Sequence, residues 1–289
     1  MIEHDVLRRF IFTELGVRGE WVKLTTSWQT AKQNQQAPET AIALLGQAYA
    51  SVALLSAMIK FTGSMILQLH GDGELSTLVA QATHERKIRG CVRCVEGASG
   101  ATFNQLIGNG QLVLTVDTSK GEPYQGIVSL EGDSLAQIVE NYFSQSEQLK
   151  TRLWLFANDT TAVGLLLQEI PTAKPEQDDW ERLSLLADTL STHELLTLDC
   201  PTLLHRLYHE DDLRLFDAEP ITFECSCSRS RIEKTLLAIG RSELEAILSA
   251  RSNVEVVCEF CGAKHLFDLI DIEALLKQNG ASLDSTTRH

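Results

Sequence analysis

Four thiols stand in two tight pairs near the C-terminus: Cys225 and Cys227 in FECSCSRS, and Cys258 and Cys261 in VVCEFCGAKH. Thirty residues separate Cys227 from Cys258. Zn²⁺ takes four ligands in a tetrahedron and binds thiolates at ~2.3 Å. A short turn lets each pair present two sulfurs to one ion. Gly262, directly after the second pair, permits positive φ and close backbone approach. The spacing points to a closed Cys₄ zinc site with one ion per chain. Four buried, inert thiols would be the plainer reading of isolated cysteines, but not of two pairs in one small unit. A unit of ~65 residues has a marginal core, and structural zinc contributes ~10–16 kcal/mol to small metallo-domains. His265 could stand in as a ligand; with four thiols present it reads as a strand residue.

Four thiolates around Zn²⁺ leave a formal charge of about −2. Arg229, Arg231, Lys234 and Lys264 are close enough in sequence to offset it, or form an ordinary solvated basic face. Zinc-bound thiolates are deprotonated and oxidisable. Oxidation is expected to expel zinc and pair sequence neighbours, Cys225 with Cys227 and Cys258 with Cys261. The first of these bridges closes a very small ring and needs a bent backbone. Such a site can be a folding switch as well as a staple.

The other cysteines read differently. Cys91 and Cys94 also spell C-x-x-C, but in a strand pattern, where positions i and i+3 face opposite sides ~10 Å apart. That is too far for a shared metal or a disulfide. Cys200, beside Pro201, has no sequence partner. No H-E-x-x-H, P-loop or G-x-G-x-x-G motif is present, and no enzymatic activity is expected.

The elements that must position the thiols fall into three parts, with an α+β fold class overall. Residues 1–172 read as an antiparallel-sheet-plus-helix domain. Helix is predicted over Asp5–Leu15 and Ser134–Ser146. Strands are predicted at Met65–His70, Lys87–Val95, Gln111–Asp117, Gln125–Leu130, Arg152–Phe156 and Ala162–Gln168. Ala41–Ile59 is long enough to span a bilayer. Gln47, Tyr49, Ser51 and Ser56 interrupt it and no basic cluster flanks it, so it reads as a buried core helix. The polar, Pro-bearing stretch Pro171–Pro175 marks a boundary. Residues 173–222 form an acidic, amphipathic helical linker, with Trp180, Leu183, Leu186, Ala187 and Leu190 on one face. Short helices of this kind need a surface to pack on. Residues 223–289 form the small zinc-binding domain. There Gly240 ends one helix, a Ser242–Glu245 capping box starts the next, and Val254–Val257 pairs with His265–Phe267. Asp271 caps a last helix that stops at Asn279–Gly280.

The chain has 289 residues and a formal net charge of −14. That balance disfavours nucleic acid and anionic membrane surfaces, which need Lys and Arg. The N-terminus lacks a signal-peptide pattern, and paired thiols in a reducing compartment are metal or redox sites more often than structural disulfides. The expected location is cytoplasmic.

Around the thiols, FECSCSR and CEFCGAKHLF closely resemble the redox-regulated 33 kDa heat-shock chaperonins, bacterial holdases activated by oxidation. So do VRGE at Val17–Glu20, QLHGDGEL at Gln68–Leu75, IGNGQLVLTVD from Ile107, GEPYQGIVSLEGDSLA from Gly121, SEQLKTRLWL from Ser146 and RLYHED at Arg206–Asp211. The resemblance spans nearly the whole chain. It implies a stress-response chaperone that is inactive when reduced and zinc-bound. Oxidation would convert Cys225, Cys227, Cys258 and Cys261 to two disulfides, release zinc, unfold the zinc domain and loosen the linker. Unfolding client proteins would then be bound without ATP. Active forms of such proteins tend to dimerise, and clients pass to ATP-dependent chaperones. A thiol-disulfide oxidoreductase is the competing function, and a zinc-ribbon nucleic-acid binder a more distant one. Which surface grips clients is not legible in the sequence.

Overall fold

Val6–Phe12 forms a strand, β1, where the sequence pattern predicts a helix over Asp5–Leu15. Both faces of β1 are covered. Leu7 belongs to one buried core, while Phe10 and Phe12 belong to another on the opposite side. A strand apolar on both faces puts Val6, Leu7, Phe10 and Ile11 at spacings that imitate a helical stripe. β1 pairs antiparallel with β2, Val17–Leu24. The computed structural model describes residues 3–100, 102–118, 121–170, 177–250 and 253–284. The expected boundary at Pro171–Pro175 lies outside the described residues.

After α1 (Thr26–Lys32) comes α2 (Glu39–Met58), where 14 of 20 residues are buried. α2 is apolar and long enough to cross a membrane, yet it packs against strands of two sheets, as expected of a core helix. Gly46 serves this packing: a Cβ there would meet Ala157 and Trp28. The chain continues through β3 (Gly63–Gly71), β4 (Leu75–Thr83), β5 (Lys87–Cys94), α3 (Phe103–Ile107), β6 (Gly110–Thr118) and β7 (Tyr124–Ser129). Then follow α4 (Leu135–Tyr142), extended by a π turn at Phe143–Glu147, and the hairpin β8 (Thr151–Ala157) and β9 (Ala162–Glu169). The linker supplies α5 (Gln177–Asp188), α6 (Thr192–Thr197) and α7 (Cys200–Tyr208). It is not helical throughout. Its end forms three short strands, β10 (Leu213–Leu215), β11 (Glu219–Pro220) and β12 (Thr222–Phe223).

The first sheet has the order β10-β1-β2-β9-β8, with β11 also on β1. The second has the order β12-β5-β4-β3-β6-β7. One core gathers around α2 between the two sheets. The other lies on the far face of the first sheet, under α5–α7.

Contacts divide the chain into Met1–Glu224 and Cys225–His289. The second unit holds α8 (Arg229–Ile239), α9 (Arg241–Ala250), the hairpin β13 (Asn253–Val257) and β14 (Lys264–Asp268), and α10 (Leu269–Asp284). Val254 faces Phe267 and Val256 faces His265, as the alternation predicts. Three expected helix ends differ. Ser242 lies inside α9, because Gly240, at φ 97°, turns the chain so sharply that its own carbonyl accepts the Leu244 N–H. Asp271 is not the cap of α10. Asp268 accepts the Asp271 N–H, and Asp271 returns the bond to the Asp268 N–H. α10 also runs through Asn279–Gly280 to Asp284, since a glycine inside a helix costs only ~1 kcal/mol.

Candidate metal centre

Cys225 and Cys227 lie on the irregular segment that leads into α8, whose N-cap Ser228 accepts the Arg231 N–H. Cys258 and Cys261 lie in the turn between β13 and β14. The Cys258 N–H donates to the Ala263 carbonyl (2.9 Å) and the Gly262 N–H to the Cys258 carbonyl (2.7 Å). Gly262 has φ 70°, the conformation its position predicts. This folded turn aims two sulfurs the same way.

The two pairs meet. Cys225 Sγ is 3.7 Å from Cys258 Sγ, and Cys227 Sγ is 3.4 Å from Cys261 Sγ. All four ligand atoms lie within 4.8 Å of one another. A tetrahedron with ~2.3 Å metal–sulfur bonds has edges of ~3.8 Å, so the cluster has the size of a closed metal site. Four soft sulfur donors suit a thiophilic ion. Burial and the neighbouring thiols push Cys227 up, and burial also raises Cys261. Burial raises Cys225 as well, but hydrogen bonds from the Cys227 backbone and the other sulfurs outweigh it and hold it below the ordinary thiol value. Of these three thiols only Cys225 is held toward its ionised form; a cation at the centre is what would draw the protons off the others.

His265 sits in β14 opposite Val256 and outside the cluster; its Nε2 is buried with no partner among the described residues. Of the nearby cations, Arg229 is committed to Asp271 (2.7 Å) and stacks 4.3 Å over Phe267, and Lys264 pairs with Glu255 (3.1 Å). Arg231 donates to Ser226 Oγ. Cys91 is buried in β5 opposite Val79, Cys94 pairs with Leu75, and Cys200 is buried at the start of α7. None of the three joins the cluster.

The family model for "Hsp33 protein" matches residues 5–268. This chain belongs to the Hsp33 family. A 33 kDa chaperonin of Nitrosococcus oceani is 48% identical over 289 residues, covering 100% of both chains. One from Shewanella frigidimarina is 43% identical over 282 residues, covering 97% of this chain and 99% of its own. The crystal structure of the 33 kDa chaperonin from Thermotoga maritima shares the fold, with a TM-score of 0.83 and 24% identity over 96% of this chain and 100% of that one. Membership in the Hsp33 family makes the protein a chaperone, with unfolded proteins as clients.

In this Hsp33 chain the linker helices cover the outer face of the first sheet. Trp180, Leu183, Ala187, Leu203 and Leu204 bury themselves against Phe10, Phe12, Trp21, Val163, Leu165 and Leu167. Polar ties pin the same helices. Lys23 Nζ donates to the Leu198 carbonyl (3.2 Å), Glu3 accepts the Cys200 N–H (3.0 Å), and Asp188 accepts from both Arg152 and Trp154. Burial pulls the Lys23 ammonium below its ordinary value, against the pull of Asp199 and Glu3. Farther along, Glu219 bridges Arg9 (2.6 Å) and Arg86 (2.9 Å). These charges carry little signal in the sequence. The signal was the pair Glu20 and Lys23 inside the apolar strand pattern VRGEWVKL.

Proposed function

We propose that this chaperone is an ATP-independent holdase switched on by oxidation, and that its metal is zinc held by Cys225, Cys227, Cys258 and Cys261. The observation that carries the reading is four thiols within 4.8 Å in a unit whose buried core, among the described residues, is six side chains: Ile232, Leu236, Leu244, Val254, Phe267 and Ile272. So small a core is marginal, and bound zinc would supply the missing folding free energy. Peroxide takes two electrons from each pair of zinc-bound thiolates and, with two protons from solvent, is reduced to two waters. Two equivalents convert the four thiols to Cys225–Cys227 and Cys258–Cys261. No thiolate is then left to hold the ion, and the unit loses its staple.

The functional division follows residues 1–172, 173–222 and 223–289. Unfolding of the third part begins next to β12 and loosens the second. Release of α5–α7 would uncover the apolar face of the first sheet, a large surface for clients without any use of ATP. Dimerisation of the active form, transfer to ATP-dependent chaperones and a cytoplasmic location belong to the same proposal.

One experiment tests the switch. Zinc-loaded protein is treated with peroxide at elevated temperature, zinc release is followed with a chromogenic chelator, and aggregation of a heat-denatured client is measured without ATP. Release of about one zinc per chain, concurrent with holdase activity and reversed by reductant, supports the switch. Zinc loss without activity reduces the metal to a structural staple and refutes it.

A further inference from the structure

A cavity of about 490 Å³ opens between β1, β2, the end of α2 and the turn from β4 to β5. In a chain of net charge −14 it is lined by Arg9, Arg18, Lys60, His84 and Arg86, against a single carboxylate, Glu20. Two of these groups are incomplete. Arg18 Nε and Glu20 Oε2 are buried, and neither has a hydrogen-bond partner among the described residues. Glu20 is 3% exposed. Arg18, Arg9 and Arg86 are near enough to favour its charge, yet it forms no ion pair among the described residues. The arginines are engaged elsewhere: Arg18 with the Met58 carbonyl and Gln168, Arg9 and Arg86 with Glu219. Unmade hydrogen bonds on buried charged groups are costly. Here one is a donor and the other, when ionised, an acceptor.

We propose that this cavity binds a phosphate group that still carries a proton, with inorganic phosphate as the ligand at neutral pH. Its unprotonated oxygens accept from Arg18 Nε and take the charge of Lys60 and the other cations. Its P–OH donates to Glu20 Oε2. A ligand with both functions satisfies both orphans, and a bare oxyanion satisfies only the first. Hydrogenphosphate keeps one proton near pH 8. Sulfate has none, and a phosphomonoester loses its last one near pH 6. Glu20 therefore acts as the selectivity element: ionised, it accepts from hydrogenphosphate and repels sulfate. Burial raises its carboxyl to about 7, against the lowering influence of Arg18, Arg9 and Arg86. Below that pH Glu20 is protonated and can itself donate to an oxyanion, so discrimination fades.

The test is calorimetric titration of the full-length, zinc-loaded protein with phosphate, sulfate and glycerol 3-phosphate at about pH 8 and about pH 6. Near pH 8, phosphate should bind about tenfold or more tighter than either competitor, a factor worth ~1.4 kcal/mol. Near pH 6 the three should converge. Glu20→Gln should gain sulfate binding near pH 8, a gain that misfolding cannot produce. Lys60→Gln should weaken phosphate several-fold. Undetectable phosphate binding at about 10 mM ligand, equal binding of sulfate and phosphate near pH 8, or tighter binding of the monoester at both pH values would each overturn the proposal. So would a Glu20→Gln protein with unchanged selectivity.

Discussion

Among single residues, the four thiols and Glu20 make opposite demands on protons. The thiols must lose theirs to hold a metal. Oxidised protein digested between the two motifs should release a Cys225–Cys227 peptide and a Cys258–Cys261 peptide, each internally bridged. Mass spectrometry showing Cys225 joined to Cys258 would instead mean that the 3.7 Å neighbours react first. Glu20 keeps its proton in the folded chain to higher pH than when unfolded. Its carboxyl rises from 4.5 to about 7, so the native state binds more protons than the unfolded state between those values. Stability therefore falls as pH rises through that window and stays reduced above it. Glu20→Gln should stabilise the protein near pH 8 by up to ~3 kcal/mol, at ~1.4 kcal/mol per pH unit, and by little near pH 4.5. Thermal melts at the two pH values check this. An equal effect at both would mean that packing, not charge, governs the site. Cysteine spacing made the thiol cluster legible in the sequence, because tight pairs constrain geometry locally. Glu20, Arg18 and Glu219 were not legible, because β2, β1 and β11 bring them together only in the folded sheet.

Elements differ in how firmly they are held. α5–α7 rest on side-chain packing and a few polar ties, whereas β10–β12 are zipped into sheets. Leu203 of α7, fully buried against the first sheet, is a suitable lever. Leu203→Ala should cost ~2–5 kcal/mol and produce holdase activity without oxidant while zinc stays bound. Client aggregation and zinc content measured on the same sample decide it. Full zinc with no added activity would detach the linker from client binding. Strands covered on one face, such as β3 and β6, were predicted well because alternation survives there. β1 was misread as helix because both its faces are buried. The Ser242 box has the right composition, but the positive-φ Gly240, two residues earlier, already starts the helix at Arg241.

For the molecule as a whole, the two units should respond to metal loss very unequally. Chelation under reducing conditions should abolish amide protection across 225–268 while β1, β2 and β9 keep theirs, since those strands border both large cores. Hydrogen exchange with mass spectrometry would show it, and retained protection in 225–268 would mean that the small core suffices alone. An antiparallel-sheet-plus-helix domain with a buried core helix is legible from composition and periodicity, but its division into two sheets about that helix is not. The route of the chain after α7 was not, because three very short strands carry almost no periodic signal. That route has a consequence. The first sheet holds β9 before the linker helices and β10 after them, with 43 residues between Glu169 and Leu213. If the strand run stays zipped, released helices form a loop fixed at both ends rather than a tail. A loop of this length returns to its own face at an effective concentration on the order of millimolar. Every client must therefore compete with a covalently tethered rival, and weakly held clients will be displaced as soon as the helices can refold.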